Sequence, residues 1–200
     1  MHIADGILST EMAAAADAVS VGALYVFGKR ARTEEIPKMG IMAAALFVVS
    51  LIHFPVAGTS VHLGLFGLAG ILLGFRAVPV VFTALLFQSL LFQHGGLLSL
   101  GVNVINMSAG AVAAYFLWRI RPVPEALRAF LCGFVGIIVP ALLMAVEFEL
   151  SGYGRGIYYL MSIYVIAAGA EGILSAMIIG FFRKVDPRIL PKYPVIKEKK

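Results

Sequence analysis

The chain is 200 residues long, 60% of them hydrophobic and only 14% charged, with a mean hydropathy of +0.94. Soluble domains hold about 45–50% apolar and about 25% charged residues, so this composition excludes a water-soluble globular protein and defines a polytopic membrane protein. The net charge of +5 reports loop orientation rather than nucleic-acid binding, and the single cysteine, Cys132, excludes both a disulfide framework and a thiolate metal centre.

The opening Met1-His2-Ile3-Ala4-Asp5-Gly6 places a histidine second. Met1 is expected to carry a free terminal amine, with no signal peptide ahead of it. That amine, the deprotonated backbone nitrogen of His2 and the His2 imidazole close two fused chelate rings. Three nitrogen donors near one plane suit Ni(II) or Cu(II), and a fourth donor must come from elsewhere in the chain. Seven apolar segments follow, at about 12–28, 39–54, 61–75, 78–92, 101–118, 129–148 and 158–182. At roughly 20 residues per crossing, they fill the chain as one membrane domain, 1–200, with a polar tail at 183–200 and no soluble domain.

Of the 16 basic residues, all except Arg155 fall on one side of this arrangement. They lie in the loop from Lys29 to Lys38, at Arg76, between Arg119 and Arg128, and in the tail. Positive loops face the cytoplasm. The N-terminus is therefore expected outside and the C-terminal tail inside, in an inner (plasma) membrane.

On that topology His2, His53, His62 and His94 all fall at the outer side. Histidine is the commonest transition-metal ligand, and polar groups at membrane depth usually face a bundle interior or cavity. A lone histidine is more often structural; four at one face point to a metal. The loops that carry them, 55–64 and 93–103, are rich in Gly, Ser and Thr. Turn chemistry and helix caps explain the glycines but not the companions. Gln93, Asn103 and Asn106 are expected to orient imidazoles by hydrogen bonds, and Asp5 to do the same for His2 or to serve as a helix-start acid. Asp17 and Glu171 fall inside apolar segments, where an ionisable group is expensive; the sequence leaves their roles open. Small residues at four-residue spacing (Gly40 and Ala44; Ala14, Ala18 and Gly22; Gly70 and Gly74) are candidate surfaces for a partner helix.

The opening Met-His-Ile-x-Asp-Gly, the segment Gly58-Thr59-Ser60-Val61-His62, and His94-Gly95-Gly96-Leu97-x-x-Leu100-Gly101-x-Asn103-x-x-Asn106-Met107 together resemble the CbiM/NikM family. These are the substrate-binding S components of energy-coupling factor transporters for cobalt and nickel. The resemblance is carried by residues 1–118, and the remainder matches in hydropathy and length. It implies an all-α membrane protein of seven transmembrane helices, a six-helix core plus an extra N-terminal helix. Residues 1–11 would form a metal-chelating segment that enters the bundle from outside. It implies metal ligation by Met1, His2 and His62, with His53 and His94 in supporting roles; the family more often has an amide or a small residue near position 53. The transported substrate would be Ni(2+) or Co(2+), with no organic cofactor.

The partners implied are a transmembrane coupling protein and two cytoplasmic ATPases, with room for a small accessory membrane subunit. The chain has no Gly-x-x-x-x-Gly-Lys-[Ser/Thr] phosphate loop, so it is not expected to be an enzyme. Two other readings stay open. A stand-alone secondary transporter would take up metal without ATPases. A haem protein or metal-dependent membrane enzyme would favour histidines facing each other in mid-bilayer, or a His-Glu-x-x-His motif, which the sequence lacks.

Overall fold

The computed structural model describes residues 2–29, 31–56, 59–120, 122–153 and 156–191, those at 54–56, 59 and 60 by backbone alone. Among them are seven α-helices: α1 (Thr10–Gly28), α2 (Ile36–Ser50), α3 (Phe66–Leu73), α4 (Ala77–Phe92), α5 (Leu100–Trp118), α6 (Glu125–Leu150) and α7 (Ile157–Val185). Between α2 and α3 lies a short antiparallel hairpin, β1 (His53–Val56) and β2 (Thr59–His62), with His53 opposite His62.

The helices run alternately in opposite directions, which side-chain contacts at the two ends establish. At one end the rings of His2, His62 and His94 meet. At the other, Phe27 stacks on Phe75 at 5.1 Å, Arg76 bonds Glu35, and Arg183, near the end of α7, pairs with Glu125 at the start of α6. Lys38 also belongs there, donating to the carbonyls of Leu72 and Ile189 at 3.1 Å each.

Among the described residues, five stretches are long and apolar enough to cross a membrane: Thr10–Gly28, Phe66–Phe92, Leu100–Trp118, Glu125–Leu150 and Ile157–Val185. The second is not one straight rod. His62 precedes α3 and His94 follows α4, yet their rings lie 5.6 Å apart, so the chain doubles back at Gly74, whose φ of 57° a side chain would strain.

The eight residues of α3 rise only about 12 Å, against a hydrocarbon core of about 30 Å. The hairpin and the turn at 63–65 supply the rest of that path in non-helical backbone. Such backbone is tolerated in a bilayer only where protein covers it, and next to α3 it is covered: Val61, His62, Gly64 and Leu65 are buried, as is α3 from Phe66 to Leu72. α3 is thus the axis of the bundle, enclosed by α5, α6 and α7, with α1 on the periphery against α5 and α4.

Close approach to this axis depends on missing side chains. A Cβ on Gly67 would lie 2.2 Å from the Cys132 carbonyl oxygen, and one on Gly136 would lie 2.3 Å from the Gly67 nitrogen. Gly70 is equally enclosed, against Ala111, so the small residues at 70 and 74 pack inside the bundle and do not form an outward partner surface. The stripes on α1 and α2 do face outward: Ala14, Ala18, Gly22, Gly40 and Ala44 are all exposed. Exposed apolar side chains such as Val19, Ile41, Ile166 and Met177 mark the lipid-facing surface.

The apolar segments anticipated in the sequence correspond to the helices within a few residues at most ends, with one local exception. α2 stops at Ser50 and α3 starts at Phe66, so residues once assigned to two helix ends form the hairpin. Pro55 breaks helical continuity, while His53 and His62 stand opposite each other in the hairpin.

Candidate metal centre

The N-terminal segment is threaded along the start of α5 by groups that imitate a β-bridge. Ile3 is fully buried. Its N–H donates to Asn103 Oδ1 at 2.8 Å, and Asn103 Nδ2 donates back to the Ile3 carbonyl at 2.9 Å. The same Nδ2 reaches the Gly95 carbonyl at 2.9 Å. A primary amide carries the donor and acceptor of a peptide group, so one side chain replaces a neighbouring strand. Asp5 fixes the next turn by accepting from Leu97 N–H at 3.0 Å and Ser99 N–H at 2.9 Å, while Ser99 Oγ donates to the Ala4 carbonyl.

The seat for this segment is made by Gly95 and Gly96, with φ of 96° and 69°. A Cβ on Gly95 would lie 3.0 Å from His2 Nδ1, and one on Gly96 would lie 2.1 Å from Asp5 Oδ1. Both glycines are required twice, for left-handed backbone and for contact distance.

Against that seat three imidazoles converge. His2 and His62 stack with centroids 4.8 Å apart and planes 18° apart. His94 stands across both, 4.3 Å from His2 at 76° and 5.6 Å from His62 at 69°. One ring nitrogen from each of the three lies within 4.8 Å of the others. His53 is exposed, with its ring 6.4 Å from His94 and its Nδ1 2.9 Å from the Leu51 carbonyl.

Burial holds the His2 imidazole well below the ordinary histidine pKa, with the neighbouring His62 and His94 rings adding to the effect. Burial also lowers His94. Both rings are therefore neutral near pH 7, with lone pairs available to a cation.

His62 is 1% exposed, and the turn that follows it is held from α7. The Glu171 carboxylate, fully buried, accepts from the N–H groups of Gly64 and Leu65, the turn and N-cap that lead into α3. Asp17 does the same for another helix, accepting from Gly101 N–H at 2.8 Å at the start of α5. The two acids inside apolar segments are thus helix caps supplied by neighbouring helices, where a carboxylate also meets the positive end of the helix dipole.

The remaining residues expected at the site are placed as follows. Met1 lies outside the described residues. Asn103 and Asp5 hold backbone, of Ile3 and of Leu97 and Ser99, rather than an imidazole. Asn106 donates to Glu147 Oε2 at 2.7 Å, joining α5 to α6. Gln93 has an exposed side chain and acts through its backbone, with a φ of 51° that closes α4. The sequence pattern had shown neither the Ile3 anchor nor the double role of Gly95 and Gly96. The spacing of Gly95, Gly96 and Asn103 was its only trace.

Fold and site together define a helical membrane protein that gathers neutral imidazoles around its own N-terminal segment at one end of the bundle. The family model described as the cobalt uptake substrate-specific transmembrane region, CbiM, matches residues 2–189. A putative metal transport protein of Haemophilus influenzae is 33% identical, over 95% of this chain and 97% of its own length. The cobalt transport protein CbiM of Geobacter sulfurreducens is 34% identical, over 98% of this chain and 63% of its own. A crystal structure described as a transition metal transporter shares the fold with a TM-score of 0.85 at 28% identity, over 93% of this chain and 94% of that one. The chain belongs to the CbiM family.

Proposed function

We propose that this chain is the substrate-binding subunit of an energy-coupling factor transporter that imports Ni(2+) or Co(2+). The observation that carries the reading is the convergence of His2, His62 and His94 within 4.8 Å in a member of a cobalt uptake family. The cation is captured at the outer face by the Met1 amine, the His2 backbone nitrogen and imidazole, and the His62 imidazole. Four nitrogen donors in a plane suit Ni(II) and also accept Co(II). Relatives whose printed names are nickel transport protein NikMN and cobalt transport protein CbiM support this substrate class.

The histidine end faces outward and the C-terminus inward. In support, the basic residues Arg32, Lys38, Arg76, Arg128 and Arg183 gather at the opposite end, as cytoplasmic loops require. All seven helices cross, α3 completing its path through the hairpin. A transmembrane coupling protein docks on an exposed small-residue stripe of α1 or α2, and two ATPases supply the work of reorientation.

Metal uptake by cells producing this chain with and without its coupling and ATPase subunits tests the reading. Uptake only with all subunits is expected; equal uptake by the chain alone would establish a secondary transporter instead.

A further inference from the structure

We infer that His94 joins His2 and His62 as a third imidazole ligand, forming a second coordination pose that holds a divalent cation of tetrahedral preference without the terminal amine. This rests on the proposal that His2 and His62 bind the transported metal, and it extends the site to a residue that the planar chelate does not need.

Three observations carry it. The first is the convergence already described, with two near-parallel rings and a third standing across them. Donors on such rings approach from different directions rather than in one plane. A non-planar set of three imidazoles is the arrangement that tetrahedral Zn(II) or Co(II) accepts, with a fourth position left for water.

The second is the pair of orphaned nitrogens. His2 Nε2 and His94 Nε2 are both buried with no hydrogen-bond partner among the described residues. A buried polar atom left unpaired is unfavourable, and two of them in one cluster point to a ligand that serves both. The planar chelate does not supply it. Only His2 Nδ1 can close a ring with the His2 backbone nitrogen, so the chelate leaves His2 Nε2 and the whole of His94 unused. His62 agrees with this assignment: its Nδ1 lies 3.0 Å from the Leu63 carbonyl, and a proton donated there leaves the lone pair on Nε2.

The third is the order of exposure. His53 is exposed, His94 half-buried and His62 buried, with His94 within 6.4 Å of His53 on one side and 4.3 Å of His2 on the other. His94 is the imidazole between solvent and the inner pair.

The experiment separates the two poses by blocking the amine. The full chain is prepared with three glycines added before Met1, so that no free amine lies within chelating reach of the His2 imidazole along the chain, and is purified through a C-terminal tag free of histidine. It is titrated with Zn(II) and Co(II), alongside the chain with its natural N-terminus titrated with Ni(II). The blocked chain is expected to bind one Zn(II), and to give the intense visible absorption of tetrahedral Co(II). His94→Ala and the similarly sized His94→Asn, each in the blocked chain, are expected to weaken Zn(II) binding beyond the roughly 100-fold typical of groups that only orient a ligand. X-ray absorption on the zinc-loaded blocked chain is expected to count three imidazoles.

No Zn(II) or Co(II) uptake by the blocked chain, a count of two imidazoles, or a loss of about 100-fold or less in both variants overturns the proposal. Failure of the natural chain to bind Ni(II) overturns the uptake reading instead, and the two failures are told apart by which preparation shows them.

Discussion

Asn103→Leu tests how metal binding depends on docking of the N-terminal segment. The substitution keeps a side chain branched at Cγ while removing three hydrogen bonds, to Ile3 N–H, the Ile3 carbonyl and the Gly95 carbonyl. At a net worth of about 1 kcal/mol each, the docked segment loses about 3 kcal/mol. At 1.4 kcal/mol per decade, that is about 100-fold in the docking equilibrium. Apparent metal affinity scales with the docked fraction. The Kd for Ni(II) is therefore expected to rise by up to about 100-fold, less whatever reserve the burial of Ile3 and the Asp5 bonds supply.

Isothermal titration of the natural-N-terminus chain measures the Kd, and hydrogen exchange at the Ile3 amide measures docking independently. Exchange must accelerate together with the loss of affinity. An unchanged Kd with fast Ile3 exchange would refute the link between docking and binding, and unchanged exchange would refute the clamp itself.

Gly96→Ala places a Cβ 2.1 Å from Asp5 Oδ1 at a φ of 69°, so it should displace Asp5 and lower Ni(II) affinity by at least about tenfold; wild-type affinity by titration contradicts the seat. Glu171→Ala leaves the buried Gly64 and Leu65 N–H groups without their acceptor, a loss of about 3 kcal/mol that should lower Tm in detergent, whereas Glu171→Gln, which keeps an acceptor, should lose less; equal Tm values for both variants and the parent contradict the cap. Metal-free stability should fall on acidification. His2 and His94 have folded pKa values below the ordinary one, so below about pH 6.5 the unfolded chain gains protons that the folded chain resists. Stability is full above that pH and is lost below it; thermal melts at pH 7.5 and 5.5 check the sign, and a flat profile counts against burial of the rings.

Much of the helical arrangement was legible because apolar runs and loop charges are local signals. The histidine side was legible for the same reason: His53, His62 and His94 each end or begin an apolar run, and alternation of direction brings them together. The hairpin at 53–62 was not, because its apolar residues continue the hydropathy of the flanking helices and only tertiary burial decides their conformation.

The backbone bonds of Asn103 and Asp5 were not legible for a related reason. Polar side chains near histidines suggest ring orientation, but here the unsatisfied groups are backbone ones, on a strand-like segment with no sheet beside it. Glu171 and Asp17 illustrate the same point, since an acid inside an apolar segment is visible in sequence while the helix end it caps lies on another element.

The central claim is that the substrate site is built on the chain's own amino terminus. It is tested most directly by titrating Ni(II) into two otherwise identical full chains, one beginning at Met1 and one carrying three added glycines, which keep the histidine out of the third position where a free terminus would build a new planar chelate, while following the visible absorption. One Ni(II) bound with a planar d–d spectrum is expected in the first, and loss of that spectrum in the second. The same spectrum and the same affinity in both chains would contradict it.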